Sequence, residues 1–196
     1  ETDEPIPADS LELTCIGRLT PQKGQLVLLD ALALLRERGV AGRVTLVGDG
    51  EMRDVVEERI DALDLRDSVT VTGWVDDIAS CYARSRVFVA PMRAATGIQN
   101  KLLQAMAAGV PCVTTGIANQ ALGAGPGELV LAETPDEFAR AVLTLLDDPA
   151  AARALGEGGR GLVLRSFQWK QTTRPLLELI DSHGDGCRTH DQEGQT

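Results

Sequence analysis

The feature that most constrains this chain is an alternation of two periods. Between residues 11 and 131, short apolar runs trade places with longer stretches in which apolar residues recur every three or four positions. The runs predict strands at residues 11–16, 43–47, 68–72, 86–90, 110–114 and 128–131. The stretches between them predict helices from Thr20-Pro21 to Arg38 with Gly39 ending it, from Gly48-Asp49-Gly50 to Leu65, from Asp76 to Ala83, and from Thr96 onward. Three consecutive helices follow, at residues 136–146, 150–164 and 168–180. Strands alternating with helices imply a parallel sheet with right-handed crossovers. The strands read as continuous apolar runs, as they do when helices cover both faces.

The fold expected is therefore α/β, a doubly wound, Rossmann-like parallel sheet of about six strands that ends in consecutive helices. Residues 1–10 read as a flexible leader, 11–182 as one domain, and 183–196 as a disordered tail without apolar anchors. Doubly wound sheets bind ligands beyond the carboxyl ends of their strands. That rule selects four loops: Gly17-Arg18, Gly48-Asp49-Gly50, Gly73-Trp74-Val75 and Ala94 to Asn100.

Charge narrows the ligand class. The 196 residues carry a formal net charge of −10, which disfavours nucleic acid and non-specific binding to anionic membrane, and leaves peripheral membrane contact to the full-length protein. An anionic ligand needs a local cationic pocket, and the first selected loop can supply one. In "GRLTPQKG" (17–24), Gly17 permits a sharp turn after the strand, Arg18 stands at the strand's carboxyl end, and Lys23 falls in the first turn expected of the next helix. A cation at a helix N-terminus opposes the dipole unless an anion lies nearby, so Arg18 and Lys23 together suit a diphosphate.

The stretch "TGIQNKLLQAMAAGVPCV" (96–113) supplies the facing wall. Ile98, Leu102, Ala105 and Met106 recur at helical spacing and are expected to face the sheet. Gly97, Asn100, Lys101 and Gln104 then lie on an adjoining face near the helix start. Free N–H groups at the Thr96-Gly97 entrance suit a phosphate, and Gly97 permits close approach. Thr96 and Gln99 also have the spacing of a capping box, which alone accounts for both. Gln104 is either a solvated helix residue or a hydrogen-bonding partner for a ribose.

Other chemistries are poorly represented. Cys15, Cys81, Cys112 and Cys187 form no CxxC pair, so no metal site is expected; small buried thiols indicate a reducing compartment, and a cytoplasmic location is expected. Asp49, Asp76 and Asp77 read as helix caps. His183 and His190 fall in the tail. The isolated GxG of Gly48 and Gly50 is no GxGxxG fingerprint, which argues against a dinucleotide dehydrogenase. No nucleophile–histidine arrangement is visible, and no run approaches the ~20 apolar residues needed to cross a bilayer.

Taken in order, "GRLTPQKG", "VTLVGDGEMR", "VTGWVDDIASCYARSRVFVAPM", "NKLLQAMAAGVPCV" and "SFQWKQTTRPLLELI" resemble the C-terminal domain of GT-B-fold retaining glycosyltransferases of group 1, over residues 11–181. The "GIQNK" variant looks most like a bacterial subgroup associated with exopolysaccharide synthesis. The resemblance implies a nucleotide diphosphate sugar, such as a UDP- or GDP-sugar, as donor substrate, with no cofactor and no metal. It implies a diphosphate held by Arg18, Lys23, Gly97 and Ile98, a nucleobase beside Gly73, Trp74 and Val75, and sugar or ribose beside Thr96, Gln99, Asn100 and Gln104. Two glutamates that the family often carries eight positions apart are here Thr96 and Gln104. The resemblance further implies a separate N-terminal acceptor domain that supplies the main catalytic groups, so this domain alone is expected to transfer nothing. The alternative is a degenerate, non-catalytic domain of the same fold that serves interaction or regulation. A nucleotide-sugar 2-epimerase is disfavoured because its histidine- and glutamate-bearing loops are absent.

Overall fold

The computed structural model describes residues 11–40 and 42–167; the predicted leader, the helix at 168–180 and the tail lie outside them. Six strands form one parallel sheet: β1 (Leu11–Ile16), β2 (Gly42–Val47), β3 (Val69–Gly73), β4 (Val87–Ala90), β5 (Cys112–Thr114) and β6 (Val130–Leu131). Their order is β3-β2-β1-β4-β5-β6. The chain winds outward from β1 in one direction, then crosses to β4 and winds outward in the other. β1 and β4 pair in parallel, with Leu13 opposite Val87 and Thr14 opposite Phe88. The switch point therefore lies between these two strands, where diverging loops leave a crevice.

Seven α-helices lie among the described residues: α1 (Gln25–Glu37), α2 (Arg53–Ala62), α3 (Ile78–Ala83), α4 (Asn100–Ala107), α5 (Gly116–Asn119), α6 (Pro135–Asp147) and α7 (Pro149–Ser166). Strand side chains alternate between two cores, as the period of two requires. Leu13, Val87, Val89 and Val113 point to one face and meet Leu28 and Leu32 of α1, Ile60 of α2 and Phe138 and Val142 of α6. Ile16, Phe88, Ala90 and Cys112 point to the other and meet Tyr82 of α3, Leu102 and Met106 of α4 and Leu162 of α7. With few aromatics to bury, small and branched aliphatics fill both cores. Phe88 and Phe138 are among the largest side chains that are fully buried.

Three local expectations need correction. The first helix is not continuous from Thr20: Pro21–Lys23 form a 3-10 turn, and α1 starts afresh at Gln25. Gly24 breaks it, in the left-handed conformation at φ 69°. A β-carbon there would lie 1.9 Å from the carbonyl oxygen of Pro91. Close packing of this turn on the exit of β4 thus excludes a through-going helix. Lys23 is consequently in the 3-10 turn and not in the first turn of α1.

The second correction concerns residues 96–99. Thr96 and Gln99 form no capping box; α4 begins at Asn100, with Gln99 as an N-cap residue that makes no side-chain cap bond. Gly97, at φ 63°, keeps this segment out of the helix. The capping box lies instead at Thr134 and Glu137, where the threonine hydroxyl accepts from the Glu137 N–H and the carboxylate accepts from the Thr134 N–H. Third, Ile98 precedes the helix and is 44% exposed, whereas Leu102, Ala105 and Met106 face the core as expected. The helix α5 was not expected from sequence, because four residues are too few to carry a periodic signal.

Candidate functional site

The loops that leave β1 and β2 are zippered together. Gly17 N–H donates to Val47 O (2.9 Å), Leu19 N–H to Asp49 O (3.0 Å) and Met52 N–H to Leu19 O (3.1 Å). A β-carbon on Gly48, which sits at φ 138°, would lie 2.2 Å from Gly17 O. The glycine after β2 is thus required for contact with the β1 loop. This contact fixes Arg18 at the carboxyl end of β1.

The 3-10 turn is fixed from the opposite side. Arg93 and Ala94 N–H groups both donate to Gln22 O, at 2.8 and 3.3 Å, which ties the turn to the exit of β4. Buried Gln25 donates from Nε2 to Arg18 O at 3.0 Å. Lys23 lies half-buried, its methylenes crossing Gly17, and donates from Nζ to Gln99 Oε1 at 3.0 Å. Desolvation holds the Lys23 ammonium below the usual lysine range, opposed by the nearby Cys15 sulfur. Burial in turn pushes the Cys15 thiol up to about 12, so it stays protonated at neutral pH.

These loops enclose one cleft of about 790 Å³, open to solvent. Its floor is Cys15, Ile16, Phe88 and Ala90, the ends of β1 and β4. Arg18 and Lys23 line one side, Gly73, Trp74 and Val75 a second, and Thr96, Ile98, Gln99 and Asn100 a third. Nine of the expected site residues therefore converge. The other two, Gly97 and Gln104, are not among the residues that line the cleft. Gln104 points its Oε1 to the Tyr82 hydroxyl (3.2 Å) and Lys101 Nζ (3.3 Å).

The electrostatics suit an anion. Among the described residues neither Arg18 nor Lys23 lies within ion-pairing distance of a carboxylate. Asp49 lines the cleft, but it is turned toward Arg53 at 3.5 Å. Neither α1 nor α4 carries an acid in its first turn, in contrast to α2 and α6. The start of α4 thus offers free N–H groups and the positive end of a helix dipole beside two uncompensated cations. Trp74 stands at the lip, 80% exposed, with an indole face available for stacking.

Gln25 was not legible as a site residue from sequence, because a glutamine opening an apolar helix carries no motif; its burial at 3% exposure reveals its role. Lys101, another cleft cation, was visible in the "GIQNK" run.

The family profile described as glycosyl transferases group 1 matches residues 10–148. The chain is 30% identical over 179 residues to the GDP-mannose-dependent alpha-(1-6)-phosphatidylinositol monomannoside mannosyltransferase of Mycolicibacterium smegmatis, spanning 86% of this chain and 47% of that protein. Among solved structures it superposes on sucrose-phosphate synthase of Thermosynechococcus elongatus with a TM-score of 0.80 at 26% identity, over 92% of this chain and 47% of that one. It superposes equally, at 0.80 and 22% identity, on Anabaena HepE crystallised with UDP, over 89% and 49%. The chain spans about half the length of these relatives. With a matched profile across most of its length and the doubly wound half of a GT-B fold, the chain belongs to the group 1 glycosyl transferases.

Proposed function

We propose that this domain binds the nucleotide diphosphate sugar donor of a retaining hexosyltransferase. The observation that carries the reading is the convergence of Arg18, Lys23 and the free start of α4 on one cleft at the β1/β4 switch point. In this reading the donor diphosphate lies between those groups. The base lies against Gly73, Trp74 and Val75, and the sugar points toward Thr96 and Asn100. As the bond from the donor sugar to its diphosphate breaks and one to the acceptor hydroxyl forms, negative charge builds on the departing diphosphate, which can take up the proton that the hydroxyl loses. Fixed cations and oriented N–H groups stabilise that charge without reorganising, and so lower the barrier. Among the described residues these groups are placed to do so, and the reading needs no protein nucleophile.

Acceptor binding, and the remaining catalytic groups, belong in this reading to a second, N-terminal domain that closes over the cleft. The polymer or glycoconjugate class of product is supported by the mannosyltransferase relative, which acts on a phosphatidylinositol mannoside. Uracil and guanine are the bases to test, since the relatives include a GDP-mannose enzyme and a protein crystallised with UDP.

Titration of the 196-residue chain with UDP and GDP, followed by backbone amide NMR, tests the reading. One nucleotide is expected to shift Gly17-Arg18, Gly73 to Val75 and Gly97 to Asn100 together. Absence of binding by both at millimolar concentration overturns the donor site and favours the interaction or regulatory domain. Sugar transfer by this chain alone overturns the assignment of the remaining catalytic groups to a second domain.

A further inference from the structure

Gln99 commits all of its side chain to the mouth of the cleft. Its Oε1 accepts from Lys23 Nζ at 3.0 Å, from a residue 76 positions earlier. Its Nε2 donates to Thr96 O at 3.3 Å and to Gly97 O at 3.2 Å. An N-cap residue ordinarily spends its side chain on the orphan N–H groups of its own helix. Gln99 does not, and α4 is left without a side-chain cap or an acid in its first turn. The helix start and Lys23 are thereby kept available at the same place.

The chemistry of an amide matters here. A carboxylate in this position would ion-pair with Lys23 and compete with any incoming anion. A primary amide accepts the same hydrogen bond and leaves the positive charge uncancelled. It also donates, and so ties the ammonium to the two carbonyls that shape the approach to α4. The stem of Lys23 is already fixed across Gly17, where a β-carbon would lie 3.8 Å from the lysine methylenes. Gln99 fixes the other end.

We propose that Gln99 is a positioning residue of the donor site: it holds the Lys23 ammonium, uncancelled, beside the start of α4, so that lysine and helix N–H groups meet the same diphosphate. This rests on the donor-site reading of the cleft. The sequence pointed Gln99 to a helix cap by its spacing from Thr96 and to sugar or ribose by resemblance, and neither reading contained its bond to Lys23.

Two variants of the full 196-residue chain separate the effects of hydrogen bonding and charge. Gln99→Met keeps length and removes every hydrogen bond; Gln99→Glu keeps the acceptor and adds a charge. Both are titrated with UDP, GDP and the corresponding nucleosides, and the Lys23 ammonium is followed by NMR across its own titration. Both variants are expected to weaken nucleotide binding by about 10-fold, the scale of one hydrogen bond to a charged group, while nucleoside binding is unchanged. Gln99→Glu is expected to raise the pH at which Lys23 loses its proton, and Gln99→Met to lower it. Wild-type affinity in both variants, an unmoved Lys23 titration, or equal loss of nucleotide and nucleoside overturns the proposal. If Arg18→Ala and Lys23→Ala abolish nucleotide binding while the Gln99 variants do not weaken it, the donor site stands and only this role of Gln99 falls. If the wild type binds neither nucleotide, both readings fall together.

Discussion

Gln25 Nε2 donates a hydrogen bond of 3.0 Å to the backbone oxygen of Arg18, so the first residue of α1 holds the loop that carries the cleft's arginine. The amide is almost fully buried, and the carbonyl it satisfies belongs to a loop tied to the β2 exit through Gly17 and Leu19 and to the β4 exit through Gln22. Removing a buried donor leaves its acceptor unpaired, at a cost of about 1–3 kcal/mol. Gln25→Leu, which keeps the volume, is expected to lower the unfolding free energy in urea by that amount and to weaken nucleotide binding by loosening Arg18. Unchanged stability in a denaturant titration would show that the Arg18 carbonyl finds another partner.

Gly24 and Gly39 make a matched pair for the role of close packing. Both are left-handed, at φ 69° and 76°, but a β-carbon on Gly24 meets the Pro91 oxygen at 1.9 Å while one on Gly39 meets nothing within 4 Å. Gly39→Ala is expected to cost about 1–2 kcal/mol, the strain of a left-handed non-glycine residue. Gly24→Ala carries that strain plus a backbone collision, so the 3-10 turn must lift off the β4 exit. It is expected to be the more destabilising and to abolish nucleotide binding, because Lys23 leaves with the turn. Equal midpoints for the two variants in thermal unfolding would remove the collision from the account.

Thr134 and Thr96 test where the helix cap really is. Thr134→Ala removes the hydroxyl that accepts from Glu137 N–H, a change worth about 1 kcal/mol at an N-cap. Thr96 precedes α4 by four residues and caps nothing, so Thr96→Ala is expected to leave stability unchanged. Denaturant midpoints of the two single variants decide the point. Helical content lost in Thr96→Ala would return the capping box to residues 96–99.

Those threonines also show how far sequence alone reaches. Both sites carry a threonine with an amide or acid three positions on; spacing alone cannot distinguish them. Gly97 decides, since its positive φ stops the helix from starting at Thr96, whereas Pro135 admits a first helical residue directly after Thr134. Strands β4 and β5 were legible because both faces are buried and their apolar runs are unbroken; the edge strand β3 exposes its threonines, and there the alternation of Val69-Thr70-Val71-Thr72 carries the signal. The two-sided core followed from that. Arg18, Lys23, Trp74 and Asn100 were reachable because strand ends in a doubly wound sheet converge by topology. Gln25, the Lys23–Gln99 bond and the break at Gly24 were not. Each depends on a contact between residues distant in sequence or on the clearance to a neighbouring carbonyl, and neither leaves a periodic trace.

Lys23 supplies a pH dependence whose sign can be worked out. Desolvation lowers its pKa in the folded chain, with the Cys15 sulfur opposing the shift. The unfolded chain therefore binds more protons in the window between the lowered value and the ordinary lysine value. Lys23 alone therefore adds slightly to the stability of the free domain as pH rises through that window, while the raised Cys15 thiol acts in the opposite direction above its ordinary value. Nucleotide affinity moves the other way. A diphosphate favours the ammonium form and raises its pKa on binding, so binding takes up a proton and weakens as pH rises. Calorimetric titrations from neutral to alkaline pH, in buffers of different ionisation enthalpy, are expected to show that uptake and a falling affinity. Lys23→Arg keeps its charge throughout and serves as the reference in which the nucleotide's own titration is the same. Its affinity should fall less steeply than that of the wild type. Parallel curves for the two proteins would mean that Lys23 does not meet the diphosphate.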